Sequence, residues 1–411
     1  MPKEILLEKL ADLVVKIGAN VQENQLVYVT APTDAAPLTR KVVKSAYLAG
    51  AKKVVVNWVD DYTSRFSLEF ESIESLEDIP QHNIDRIKYL IENGGCVISI
   101  VSPIPGVNKG IDSLKIQKAG LARSKAIQFY REHMMNNNTQ WTIIASANPV
   151  WAKKVFPNLN EEEGTEALWD AIFAASRVTE ESNPIEEWNK HNKELLDHNK
   201  ILNDYKFKTL HFSNSLGTDL HIDLVENHVW AGGQEKANNG VIFNPNIPTE
   251  ENFTMPHKYG VNGKVVATKP LDYQGNLIEG FWLEFKDGKV VNFDAVAEKS
   301  SLKNLLEFDE GSSYLGEVAL ISYDSPISKA NILFFNTLFD ENASCHLALG
   351  RAYPMNIKNG TSMNQTELEK LGYNNSMSHS DFMFGSIDMN IVGTTQNGEK
   401  VQIFKNGNFV V

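Results

Sequence analysis

Along the first half of the chain, apolar positions follow two alternating rhythms. Short, largely apolar runs at residues 26–29, 54–59, 96–101 and 142–145 predict strands. Between them lie segments with helical spacing. The segment 38–48 follows Pro37 and ends before Gly50, residue types suited to the first turn and the exit of a helix. A helix between two strands is the crossover that a parallel pair requires. The pattern therefore predicts an α/β N-terminal domain with a mostly parallel, doubly wound sheet.

Two longer helical patterns follow. Residues 161–177 open with an acidic first turn and carry Leu168, Ala171, Ile172 and Ala175 on one face, and residues 184–202 do the same with Ile185, Trp188, Leu195 and Leu202. Beyond Tyr205 the period changes to two, with alternation at 207–212 and 220–224 and hairpin dipeptides at Asp287-Gly288 and Asn406-Gly407. The expected domains are thus residues 1–205, α/β, and residues 206–411, a β-rich α+β domain. Neither a GxGxxG after a strand nor a Walker loop occurs, since Gly263-Lys264 is followed by Val265.

Length and composition narrow the class. A chain of 411 residues exceeds one ordinary core, domains being about 100 to 200 residues. No apolar run approaches the roughly 20 residues needed to span a bilayer. The N-terminus is amphipathic through Leu6, Leu7, Leu10, Leu13 and Val14, without the apolar block of a secretory signal. A cytoplasmic protein is expected. Cys96 and Cys345 fall in different predicted domains, so reduced thiols are expected in place of a disulfide. A formal charge of -13 opposes nucleic-acid binding, which needs clustered Lys and Arg.

The chemistry-bearing residues concentrate in the second half: Glu250-Glu251, Glu317 within LGEVAL, Glu341 and His346 within DENASCH, and His379 with Asp381 in SHSD. They supply carboxylate oxygen and imidazole nitrogen, the donors that Zn, Mn or Co accept. In a strand, residues two apart share a side, so His379 and Asp381 can enter one site while Ser378 and Ser380 face away. Each residue also has an ordinary structural role to fill. Exposed loop carboxylates suit the glutamate pair, an outward strand position suits Glu317, and a helix or turn cap suits Glu341, for which Asp340 competes. No HExxH helix is present.

Four segments, NIPTEENFTMP (246–256), LGEVAL (315–320), FDENASCHLALGRAY (339–353) and NSMSHSDFMFG (375–385), occur in order and resemble the motif set of the M29 metalloaminopeptidases. The resemblance covers essentially the whole chain. It implies a homodimeric enzyme that removes N-terminal residues from peptides with a free N-terminus, using two divalent metal ions per subunit, Zn, Co or Mn. Matched motif by motif, it implies Glu251, Glu317, Glu341, His346, His379 and Asp381 as ligands, with Glu250 the alternative to Glu251, and Tyr353 as a catalytic residue. The non-ligating member of the glutamate pair, Glu250, is the expected general base.

Metal-activated water would attack the scissile carbonyl in such an enzyme, and a Tyr353 hydroxyl close to the developing charge would stabilise the oxyanion. Because the same chemistry cleaves other bonds, an amidase or phosphoesterase is the second enzymatic reading. An inactive peptide- or metal-binding protein is the third.

Overall fold

A computed structural model of the chain describes residues 4–273 and 276–411. Their contacts divide into two units. One comprises the chain up to Lys190 together with Gln234–Pro248, and the other comprises His191–Gly233 and Thr249–Val411.

In the first unit, α1 (Glu4–Leu13) precedes β1 (Leu26–Pro32), α2 (Ala36–Leu48), β2 (Lys53–Val59), β3 (Cys96–Val101) and β4 (Trp141–Ala145). These four strands pair in parallel throughout, in the order β2-β1-β3-β4. The chain leaves β1 in one direction to form β2 and then returns to its other side for β3, the reversal that defines a doubly wound sheet. The runs predicted from the sequence are these strands: β3 has the predicted bounds, β2 and β4 begin one residue earlier, and β1 runs three residues further. Val27, Val29, Ile98 and Ile144 are fully buried. Residues 234–248 join this unit locally, where Ile143 N donates to Pro245 O at 2.8 Å and Ile143 bridges Asn246 in parallel.

Two helices end the α/β part. In α3 (Glu161–Ala175) the Asn160 side chain accepts from Glu163 N, and Glu161, Glu162 and Glu163 lie at the positive end of the helix dipole. In α4 (Pro184–Tyr205) the helix runs three residues beyond the predicted end, and residues 191–205 belong to the second unit.

The second unit is built mainly from two antiparallel sheets, beside a short pair of Leu271–Tyr273 with Asn276–Ile278. Its strands are β5 (Phe207–Ser213), β6 (Asp219–Leu224), β7 (Asn252–Thr254), β8 (Pro256–Val266), β9 (Trp282–Lys286), β10 (Lys289–Asp294), β11 (Leu315–Leu320), β12 (His346–Gly350), β13 (His379–Met383), β14 (Asn390–Thr395), β15 (Lys400–Lys405) and β16 (Asn408–Phe409). Eight of them form a sheet in the order β10-β9-β8-β6-β5-β14-β15-β16, and four form a second, β13-β12-β11-β7. The two predicted hairpin turns fall between β9 and β10 and between β15 and β16. Asp287 and Gly288 have φ of 48° and 83°, Asn406 and Gly407 of 51° and 75°, the positive pair a tight primed turn demands.

One hydrophobic core joins the sheets. Leu210, Phe212, Leu220 and Ile222 of the larger belong to the same buried cluster as Val318, Leu320, Leu347, Leu349 and Phe382 of the smaller. Because side chains alternate along a strand, burying those residues turns Glu317, His346, His379 and Asp381 to the opposite face of the small sheet. Both cysteines are buried and free. No helix among the described residues is long and apolar enough to cross a membrane.

Candidate metal centre

The register of the small sheet assembles the centre. Glu317 of β11 pairs with Ala348 of β12, which pairs with Asp381 of β13, and one row over Ala319, His346 and Met383 align in the same way. Ala348 and Ala319 are small and fully buried, so nothing bulky stands between the acidic and imidazole side chains. Close backbone approach keeps the strands aligned. A Cβ on Gly316 would lie 2.4 Å from the Gly350 carbonyl oxygen, and Gly350 itself has φ +105° with Ser378 O 2.3 Å from its Cβ position. Those distances are below any real contact, so both positions require glycine.

The donor atoms converge. His346 Nε2 lies 3.3 Å from Glu317 Oε1 and 3.4 Å from Glu251 Oε2, and His379 Nε2 lies 3.6 Å from Glu317 Oε2 and 3.3 Å from Asp381 Oδ1. Two groups result, Glu251 with Glu317 and His346, and Glu317 with His379 and Asp381. Within each, the ligand atoms lie within 4.8 Å of one another. Glu317 is common to both. The opposite ring nitrogens are held by backbone: His346 Nδ1 donates to Glu341 O at 2.7 Å and His379 Nδ1 to Arg351 O at 2.7 Å. That arrangement makes Nδ1 the backbone donor and turns each Nε2 inward, the usual orientation of a metal-ligating histidine.

Electrostatics support the same fit. Burial, partly offset by His346 and reinforced by the charges of Glu317 and Asp381, pushes the Glu251 carboxyl up to about 8. The Glu341 carboxyl is pushed well above the usual range by burial and then by Glu251 and Asp381. For His346, burial alone would lower the pKa, but the Glu317 hydrogen bond and the charges of Glu251 and Asp381 raise it to about 10. His379 reaches about 10 against its own desolvation through Asp381 and Glu317. In Asp381, His379 and His346 outweigh burial and hold the carboxyl below its ordinary value. Four carboxylates crowded around two imidazoles repel one another unless cations join them. Divalent ions fit this donor set.

Access is one-sided. The His346 side chain is 1% exposed and that of His379 21%, so the solvent approach is on the His379 side. There the Tyr353 ring lies 4.9 Å from the His379 ring and 6.3 Å from Phe253. Burial, followed by the charges of Glu317 and Asp381, raises the Tyr353 hydroxyl above its ordinary pKa, which keeps it protonated and able to donate at neutral pH.

Of the residues singled out from the sequence, Glu251, Glu317, His346, His379 and Asp381 meet in the two donor groups. Glu341 sits in the short turn Glu341–Ala343, outside those groups, with its carbonyl on His346. Glu250 is turned elsewhere: its carboxylate is 3.7 Å from His191 Nε2, and its N–H donates to Asn342 Oδ1 at 2.8 Å. Adjacent residues of an extended segment point in opposite directions, so only one member of the pair reaches His346.

A supporting layer stands behind β13. Asp309 accepts from Met377 N at 2.7 Å, Ser376 Oγ at 2.8 Å and Ser312 N at 2.9 Å, and Ser312 Oγ lies 3.0 Å from Ser378 Oγ. This ties down the approach to β13. The Asp309 to Ser312 spacing is a visible capping box, but its link to residues 376–378 is not local. His191 in α4 carries no spacing signal at all.

Fold and donor set together place the chain among metal-binding α/β proteins, and the comparisons with known proteins define it further. The family model described as thermophilic metalloprotease (M29) matches residues 3–409, and the chain belongs to that family. It is 47% identical over 403 residues to aminopeptidase AmpS of Bacillus subtilis (strain 168), covering 98% of each chain. It is 45% identical over 403 residues to aminopeptidase 2 of Geobacillus stearothermophilus, covering 98% of this chain and 97% of that one. In structure it is similar to wild-type AmpT from Thermus thermophilus, with a TM-score of 0.92, 37% identity and 99% coverage of both chains.

Proposed function

We propose that this chain is a metal-dependent aminopeptidase that holds two divalent ions, Zn, Co or Mn, and releases N-terminal residues from peptides. The observation that carries the two-ion reading is the pair of donor groups sharing Glu317. Glu251, Glu317 and His346 would hold one ion, Glu317, His379 and Asp381 the other, with Glu341 completing the set. What such a pair supplies when bound is Lewis acidity, which polarises a carbonyl and lowers the pKa of water.

The protein's own groups do the rest. Tyr353 donates its hydroxyl proton in a hydrogen bond to the oxyanion that develops on the scissile carbonyl. Glu250, paired with His191, carries the proton to the leaving amine.

The reading is tested with aminoacyl-p-nitroanilides, assayed as purified, after chelation, and after return of Zn, Co or Mn, with N-acetylated substrates in parallel. Activity lost on chelation, regained with metal and blocked by acetylation supports it. A fully metal-loaded protein that cleaves none of the free-amine substrates overturns it. For Tyr353→Phe, metal content should be unchanged while kcat falls by about 100- to 1000-fold, the usual loss for one oxyanion donor. Full turnover in that variant removes Tyr353 from the mechanism.

A further inference from the structure

A second cluster of metal-ligating side chains lies on the large sheet. His211 of β5 and His221 of β6 are direct cross-strand partners, and Asp219 is two residues from His221 on the same side of its strand. The imidazoles stack with centroids 4.1 Å apart and planes 2° from parallel, and His211 Nε2 is 2.7 Å from Asp219 Oδ1. One ligand atom from each residue lies within 4.8 Å of the other two. The intervening residues Leu210, Phe212, Leu220 and Ile222 are buried in the core, so this trio occupies the opposite, solvent-facing side of β5 and β6.

We propose that His211, Asp219 and His221 form an additional site for a borderline transition ion such as Zn2+, Ni2+ or Cu2+. Three features support it. Two imidazoles with one carboxylate make up a donor set these ions favour over Mg2+ or Ca2+. Backbone pairing already sets the imidazoles side by side, so little ordering remains for binding to accomplish. The cation that strand register places beside Asp219 is turned away: Lys264 pairs with Asp219, yet its ammonium lies 4.1 Å over the Trp282 ring.

Binding at His211 Nε2 takes the place of its hydrogen bond to Asp219, and the neutral ring then carries its proton on Nδ1. Small rotations of the exposed side chains bring the donors to the roughly 2.0 to 2.2 Å that zinc requires. With three protein donors, a fourth position stays open to water. The bound ion clamps β5 to β6 and leaves the catalytic cluster, which lies on the small sheet, untouched.

The test is equilibrium dialysis of the metal-loaded protein against Zn2+ after gel filtration, with metal counted per chain. Wild type is expected to retain one more equivalent than His221→Gln and His211→Gln, and Asp219→Asn should hold it more weakly. Glu317→Gln should still take up this equivalent, which separates the site from the catalytic one. Thermal unfolding without added zinc checks that each variant is folded. Equal zinc retention by wild type and both folded histidine variants overturns the proposal.

Discussion

Glu317→Gln is expected to lower peptidase turnover by more than about 100-fold and to deplete both metal positions, not one. Removal of groups that merely orient metal ligands costs about 10- to 100-fold, and Glu317 is more than that: it is the one residue common to both donor groups. Glutamine keeps the size of the side chain but loses its charge. One of its two positions becomes an N–H2 facing His346 Nε2 or His379 Nε2, where Oε1 and Oε2 now stand at 3.3 and 3.6 Å. Metal analysis of the purified variant reads this directly. Asp381→Asn, which touches only the His379 group, should retain more metal than Glu317→Gln. Equal, full metal content in Glu317→Gln would refute the shared-ligand role.

Glu250→Gln is the informative contrast. Its carboxylate lies beside His191 and in neither donor group, so metal content should match wild type while kcat falls if Glu250 carries the proton. An unchanged kcat removes that role.

These residues also mark where a single sequence is readable and where it is not. The pairing of His379 with Asp381 follows from a period of two within one strand, and the hairpins at Asp287-Gly288 and Asn406-Gly407 follow from backbone sterics that Gly and Asn or Asp relieve. The runs that became β1 to β4 are largely apolar strands, legible because a parallel sheet covered on both faces keeps few polar positions; β2, at the sheet edge, is only half-buried. What brings Glu317 to Asp381 is different in kind. It depends on β12 lying between β11 and β13 and on Ala348 occupying the middle of the row, a register set by packing across more than 60 positions of chain. The choice between Glu250 and Glu251 turns on which way an extended segment faces, and the coupling of His211 to His221 turns on the pairing of β5 with β6. Neither leaves a trace in local spacing. The return of residues 234–248 to the first unit is likewise a long-range contact, invisible to a reading that moves along the chain.

Metal removal should make the protein's stability fall steeply with pH, whereas the loaded form should stay nearly level. In the metal-free protein Glu251 titrates near 8 and Glu341 also above its ordinary value, so the folded chain holds protons that the unfolded chain releases near 4.5. His346 and His379 are raised to about 10 from 6.5. For every one of these groups the folded pKa exceeds the unfolded one. Their contribution is therefore complete below the unfolded values and lost as pH rises through the folded values. Asp381, held below 3.8, acts in the opposite sense, but its contribution disappears only at more acidic pH. Between pH 6 and 9 the net slope is thus negative, about 1.4 kcal/mol per pH unit for each extra proton held by the folded state. In thermal terms one such proton is worth on the order of 3 °C per pH unit. Metal ions replace these protons and should abolish the dependence. Thermal unfolding of dialysed metal-free and metal-loaded protein across this range measures the difference. Parallel curves would mean that the carboxylate cluster is not strained without its cations and that its crowded charge does not call for a metal centre.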